Sequence, residues 1–247
     1  MKVVGVIPAR WASTRLPGKS LVLIAGKPLI QRVWERAARA ASLSDLAVAT
    51  DDERIARAVR LFGGQAVMTR ADHPSGTDRV AEAVGAMGAE VVINIQGDEP
   101  LIDPGLIDRL AGCFREPGWD MATAACAITQ PRDETASSVV KVVWDATGRA
   151  IYFSRLPIPF VRDGDRAVTR WRHIGIYAYT TAFLNRLLNT PPCELELAEK
   201  LEQLRALHIG GRIKILEAAE AAVGVDTPED VEAAEAAVRR AEAAEEA

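Results

Sequence analysis

Three short polar segments carry residue types that could do chemistry together. The first contains Arg10, Ser13, Thr14, Arg15, Pro17, Gly18 and Lys19, and directly follows the β-branched run Val3 to Ile7, closed by Pro8. Cations spread among small residues, with backbone N–H groups open beside them, suit the grip of a polyanion such as a triphosphate. The spacing is not GxxxxGK[ST], so this is not a Walker loop. The bland alternative is a solvated turn whose basic residues pair with surface carboxylates. The second segment is Gln96-Gly97-Asp98-Glu99-Pro100, at the end of a buried strand read over Glu90 to Ile95. A carboxylate there suits Mg²⁺, a hard cation that takes oxygen ligands and bridges phosphates. Asp98 equally suits a turn, or the cap of a helix after Pro104. The third is Gly224-Val225-Asp226-Thr227-Pro228. Its carboxylate either completes a metal site with Asp98 or supports the N-terminus of the next helix.

These segments need elements to hold them. Val3 to Ile7 reads as a buried parallel strand, and Pro28 to Ala41 as a helix with Leu29, Ile30, Val33, Trp34 and Ala37 on its apolar face. Leu46 to Ala49 and Gln65 to Met68 read as strands around a helix over Asp52 to Phe62. A further helix, capped by Thr77 or Asp78, runs to about Met87 before the strand Glu90 to Ile95. This alternation predicts βαβ units: an α/β fold with a mostly parallel, Rossmann-like sheet and helices on both faces. Ligands of such sheets sit at the carboxyl ends of the strands, where the loops after Ile7, Met68 and Ile95 would lie. The second half changes character. Met121 to Thr129, Val139 to Trp144, Arg149 to Phe153 and Trp171 to Tyr179 read as strands, with a turn at Asp145 to Gly148, a loop or arm from Arg155 to Arg170, a helix over Glu196 to Leu207 and a strand over Arg212 to Leu216. Thr227 to Asp230 begins a final helix. The expectation is one domain over 1–247, made of a nucleotide-binding half at 1–120, a β-rich half at 121–217, and a C-terminal loop and helix at 218–247.

Composition bounds the function. In 247 residues, 49% hydrophobic and 26% charged with a net charge of −4, there is ample apolar material for a folded core. No block of clustered Lys/Arg offers the phosphate-neutralising surface of a sequence-independent nucleic-acid binder. Cys113, Cys126 and Cys193 are widely spaced without metal-ligand patterns, and no apolar stretch reaches the roughly 18–20 residues of a membrane span. A reduced, soluble, cytoplasmic protein without a membrane segment is expected.

Taken in order, PARWASTRLPGK, ATDD, MTRADHPSGTDR, NIQGDEP, VKVVWDATGRAIYFSR, RHIGIYAY, LEQLR and GVDTPED, spread from residue 8 to residue 230, resemble the 3-deoxy-manno-octulosonate cytidylyltransferase family, the CMP-Kdo synthetases. The resemblance implies a nucleotide-diphospho-sugar transferase type of fold with a sugar-binding and dimerisation lobe. It also implies transfer of CMP from CTP to the anomeric 2-hydroxyl of Kdo with Mg²⁺, release of pyrophosphate, and a homodimer. By the same resemblance Arg10, Arg15 and Lys19 grip the triphosphate, Ser75 and Gly76 contact cytosine, Gln96 orients the nucleotide, and Asp98 and Asp226 are the metal ligands, with Lys19, Arg10, Asp98 and Asp226 forming the catalytic set. Arg155, His173, Tyr177, Glu202 and Gln203 would form the sugar side, where an Arg suits a sugar carboxylate and neutral groups suit hydroxyls. The chain departs from the family pattern in its Ala-rich stretch Ala218 to Val223, in Asp at position 78, and in a short loop after Pro159. Competing readings are a CMP-sialic acid synthetase, with the same cationic loop and another acceptor; a glycosyltransferase, which needs a DxD pattern where this chain has Asp98-Glu99; and a non-catalytic nucleotide-binding module, which would have no use for the two carboxylates.

Overall fold

The N-terminal apolar run forms β1 (Val3–Ala9), which leads through a 3-10 turn at Lys19–Leu21 into a small hairpin, β2 (Leu23–Ile24) and β3 (Lys27–Pro28). The chain continues through α1 (Leu29–Ala37), β4 (Asp45–Thr50), α2 (Glu53–Leu61), β5 (Gln65–Met68), α3 (Gly76–Val84), β6 (Val91–Asn94) and α4 (Pro104–Gly112). This is a computed structural model describing residues 1–12, 16–163 and 168–245. It divides into two compact units, Met1–Ala111 with Ala222–Ala247, and Gly112–Ala221.

In the first unit β6, β1, β4 and β5 lie side by side and parallel, with Gly5 opposite Leu46 on one side and Ile93 on the other. Being paired on both edges and covered by helices, β1 must be apolar throughout, and Val4, Val6 and Ile7 are fully buried. This is the expected parallel sheet. Parallel pairing sends the loops after β1, β5 and β6 out from the same end of the sheet. There the backbones nearly touch: Ile95 donates its N–H to the Val6 carbonyl at 2.9 Å, and a Cβ on Gly97 would lie 2.9 Å from the Pro8 carbonyl oxygen.

The second unit is the β-rich lobe: β7 (Met121–Ala127), α5 (Pro131–Thr135), β8 (Lys141–Trp144), β9 (Ala150–Ser154), β10 (Trp171–Thr180), α6 (Thr181–Leu188), α7 (Glu194–Glu199), α8 (Gln203–His208) and β11 (Ile213–Glu217). Here β7 is parallel to β11 and antiparallel to β10, while β8 and β9 form the hairpin around the expected turn, closed by Gly148 N–H to the Asp145 carbonyl at 2.9 Å. The last helix, α9 (Pro228–Glu245), belongs to the first unit.

Two local expectations are corrected. The helix over Glu196 to Leu207 is broken at Lys200, which takes a left-handed φ of 54° and separates α7 from α8. The break frees the Glu199 carbonyl, which a continuous helix would use internally, to accept from Arg155 Nε at 2.6 Å. The cap of α3 is Ser75 rather than Thr77 or Asp78: its hydroxyl accepts from the Asp78 N–H at 3.2 Å and donates to the Asp78 carboxylate at 2.6 Å.

Gly97→Ala should destabilise the protein by about 1–3 kcal/mol, as overpacking against rigid backbone does, read as a lowered urea midpoint. An unchanged midpoint would show that the loops after β1 and β6 can part freely.

Candidate active site

The loops gathered at the sheet end enclose a cavity of about 350 Å³ lined by Pro8 to Arg10, Lys19 and Ser20, His73 to Gly76, Arg79, Gln96 to Asp98, and Asp226. Lys19 is aimed into it by the turn before it. Gly18 has φ 69° and donates to the Trp11 carbonyl at 3.1 Å, and a Cβ there would meet the Trp11 ring at 2.9 Å, so this position needs glycine. The Trp11 ring is itself covered by the Arg54 guanidinium, 3.4 Å from its centroid.

The Lys19 ammonium donates to Asp98 Oδ2 at 2.7 Å and to Asp226 Oδ1 at 3.0 Å. Burial works against its charge, but attraction to Asp98 and the hydrogen bonds to both carboxylates outweigh it and hold the lysine above its ordinary pKa. The alternative roles for the two aspartates go to other residues. Asp103 caps α4, accepting from the Gly105 N–H at 2.8 Å, and Asp230 accepts the N–H groups of Asp226 and Thr227 at 2.9 and 2.8 Å. The two loops are joined directly by the Val225 N–H to the Asp98 carbonyl at 2.9 Å.

Of the residues expected on the nucleotide side, Arg10, Lys19, Ser75, Gly76, Gln96, Asp98 and Asp226 all line this cavity. Arg15 lies outside the described residues. Two cavity residues, Arg79 and His73, are additions that the sequence reading lacks. Arg79, 4% exposed, donates to Thr69 Oγ1 at 2.6 Å and to Asp51 Oδ2 at 3.0 Å, fixing the segment before α3 against the end of β4; His73 is bonded to the Glu82 carboxylate. The signal that could have found Arg79 is its position four residues after Ser75, on the same helix face.

Asp98 and Asp226 converge on one cation from loops far apart in sequence, and among the described residues no group of three or more His, Cys, Asp or Glu side chains is arranged to hold a metal. Two carboxylates on the wall of this cavity fit the way Mg²⁺ is held, by one or two carboxylates plus substrate phosphates and water.

The sugar-side candidates lie in the second unit. His173 is buried, its ring 5.0 Å from Phe153 and 5.4 Å from Tyr177, and its Nε2 lies 2.9 Å from Thr123 Oγ1. That hydroxyl donates to the Ile176 carbonyl at 2.7 Å, which leaves it to accept from an Nε2–H of a neutral ring. Tyr177 donates to Gln203 Oε1 at 3.4 Å, burial pushes its phenol up, and the buried Gln203 Nε2 has no hydrogen-bond partner among the described residues. Glu202 accepts from Arg205 at 3.4 Å. The Arg155 guanidinium is engaged by the carbonyls of Glu199, Ser137 and Lys200 at 2.6, 2.8 and 3.4 Å.

A parallel α/β sheet whose strand-end loops bring cations and two carboxylates into one cavity defines a nucleotide-binding transferase. A family profile described as cytidylyltransferase matches residues 4–215. The chain is 49% identical over 243 residues to the 3-deoxy-manno-octulosonate cytidylyltransferase of Geobacter sulfurreducens, covering 94% of this chain and 97% of that one, and 51% identical to that of Desulfatibacillum aliphaticivorans, covering 97% and 99%. A solved structure of a CMP:2-keto-3-deoxy-manno-octonic acid synthetase complexed with CTP superposes with a TM-score of 0.94 at 44% identity, covering 97% of this chain and 99% of its own. The chain belongs to the 3-deoxy-manno-octulosonate cytidylyltransferase family.

Burial pushes the His173 imidazole down from 6.5 to about 3. Between those values the unfolded chain binds a proton that the folded chain refuses. Stability therefore rises with pH across that window, by at most about 1.4 kcal/mol per unit, and the contribution is fully present above it. Urea titrations of wild type and His173→Gln should show the wild type losing more stability between about pH 7 and about pH 5. Equal losses would mean that the folded imidazole accepts the proton.

Proposed function

We propose that the protein transfers CMP from CTP to the anomeric 2-hydroxyl of 3-deoxy-manno-octulosonate (Kdo), releasing pyrophosphate and activating the sugar for lipopolysaccharide assembly. The observation that carries this reading is the Lys19 ammonium held between Asp98 and Asp226 in a cavity shared with Arg10, Gln96 and the Ser75–Gly76 start of α3. Arg10 and Lys19 neutralise the triphosphate, with Arg15 assigned the same task by the family pattern. Gln96 orients the nucleotide, and Ser75 and Gly76 contact cytosine. Asp98 and Asp226 would hold Mg²⁺, which supplies charge neutralisation on the phosphates.

In the reaction the sugar O2 forms a bond to the α-phosphorus as the bond from that phosphorus to the β-bridging oxygen breaks. The hydroxyl proton is lost to solvent, and the electron pair leaves with pyrophosphate. No covalent enzyme intermediate is needed, so the protein acts by positioning and by charge complementarity to the transition state. Arg155, Tyr177, Glu202, Gln203 and the neutral His173 are assigned to the sugar, the unpaired Gln203 Nε2 being a ready donor to a hydroxyl.

A cytoplasmic location and a homodimer are part of the same reading. The three cysteines are free thiols, and no helix among the described residues is long and apolar enough to cross a membrane. Around the arm of the second unit Ile151, Leu156 and Phe160 are 59, 71 and 86% exposed, an apolar surface suited to a second copy. A monomeric mass in solution would exclude the dimer.

Pyrophosphate release with Mg²⁺, crossing the nucleoside triphosphates against Kdo, 8-amino-Kdo and sialic acid, should require CTP together with Kdo; activity with sialic acid alone would refute the reading. Asp98→Asn should lower turnover by about 10²–10³-fold or more, the scale of losing one electrostatic element of a reaction centre, while leaving the circular dichroism spectrum unchanged. Near-normal release by that variant would exclude the two-carboxylate metal site.

A further inference from the structure

Beyond the bond from its own N–H to Asp230, Asp226 is placed by contacts remote from it in sequence. The chain leaves the first unit at Ala111 and re-enters it at Ala222, so no described strand of that unit's sheet leads into the Asp226 loop. The loop runs directly into α9, which buries only Ala234, Ala237 and Val238 among its described side chains. Such small groups give little apolar stabilisation, so polar contacts must carry much of the docking.

The central one is Arg32 of α1. Its guanidinium, 7% exposed, donates to the carbonyls of Ile24 and Ala25 at 3.0 and 2.5 Å and to Glu242 Oε1 of α9 at 2.5 Å. The Ala25 N–H in turn donates to Glu235 Oε1 of α9 at 2.8 Å. Ala25 lies in the β2–β3 hairpin turn, with a left-handed φ of 48°, and that hairpin is the continuation of the Lys19–Leu21 turn. Beyond it, Arg36 and Arg39 reach Glu245 at 2.7 and 2.8 Å at an exposed end of the helix, where screening leaves such pairs little strength.

We infer that Arg32 is a positioning residue for the reaction: by tying the hairpin that continues from Lys19 to the helix that begins after Asp226, it sets the spacing between the lysine and that carboxylate. A planar fork is required, because three acceptors in different directions must be met from one buried site. The inference rests on the reading of Asp226 as a metal-side carboxylate, and it concerns residues that do not line the cavity.

The test uses the full-length protein with Arg32→Lys, Arg32→Met, Glu242→Gln and, for comparison, Glu245→Gln. Arg32→Lys, Arg32→Met and Glu242→Gln should raise the Mg²⁺ concentration for half-maximal pyrophosphate release about tenfold, the scale on which supporting residues alter metal affinity, while KM for CTP at saturating Mg²⁺ moves by less than about twofold. The Val225 amide, bonded to the Asp98 carbonyl, should exchange with deuterium about tenfold faster in those variants, reporting local opening. Glu245→Gln should change neither readout. Because Glu242 is at the exposed end of the contact, Glu242→Gln keeps the fold even if the Arg32 variants lose it. A lowered melting temperature in Glu242→Gln with unchanged Mg²⁺ requirement and unchanged Val225 exchange would overturn the inference. If wild type itself makes no pyrophosphate from CTP and Kdo, the functional reading fails, and Val225 exchange alone then decides whether Arg32 holds this loop.

Discussion

The ammonium of Lys19 between the carboxylates of Asp98 and Asp226 is the contact on which the site depends. Removing a charge from water is costly unless it is paired, and breaking a pair on one side leaves the other charge exposed to that cost. Two carboxylates drawn toward one point without a cation would repel each other, and the Val225 to Asp98 backbone bond that joins their loops would carry that repulsion alone. One lysine against two aspartates leaves a local excess of one negative charge, which favours a further cation beside them. Arg10, on the same cavity wall, supplies the opposite sign for an anion. The site is therefore polarised, cation-seeking at the two aspartates and anion-seeking along the loop after β1, as the proposed nucleotide and metal would require.

That polarity exists only because the backbones come close enough. The parallel order β6, β1, β4, β5 delivers three loops to one end of the sheet, but a hydrogen-bonded contact between ammonium and carboxylate needs sub-ångström placement as well. Gly97 provides it by letting the loop after β6 lie against the Pro8 carbonyl, and Gly18 provides it by turning the chain beneath Trp11. A side chain at either place would separate elements that the electrostatics must bring together. The two glycines and the three charges thus act as one device.

Much of this is legible in the sequence, and the remainder has identifiable causes. The segments Val3 to Ile7 and Glu90 to Ile95, each rich in Val and Ile, read correctly as buried strands because a strand covered on both faces leaves no regular polar alternation. Lys19, Asp98 and Asp226 stand out because each sits where a strand or helix starts or stops. The α7–α8 break does not, since helical periodicity continues through Lys200 and the partner that uses the freed Glu199 carbonyl, Arg155, lies 44 residues away. Ser75 loses to Thr77 and Asp78 as expected cap because all three are good cap residues, and only the structure shows the Ser75 hydroxyl donating to the Asp78 carboxylate while accepting from the Asp78 N–H. Arg32 and Glu242, separated by 210 positions, are invisible for a plainer reason: each looks like a solvated charge on an amphipathic helix.

The second unit poses the opposite chemistry with similar logic. Around His173 the charges are removed: the imidazole is neutral, the Tyr177 phenol is held protonated by burial, and Thr123 satisfies ring and carbonyl together at the register shift between Ile174 and Tyr177. Neutral donors and acceptors locked in place by burial discriminate hydroxyl positions better than mobile charges do, because a missing partner leaves a buried group unpaired. Arg155, held by three carbonyls, is fixed with the same rigidity. The buried Gln203 Nε2, which has no hydrogen-bond partner among the described residues, is a donor open to a ligand hydroxyl. On the proposed reading a polyhydroxylated acceptor would meet that donor, and the cost of leaving the amide unpaired would then help to distinguish one sugar from another.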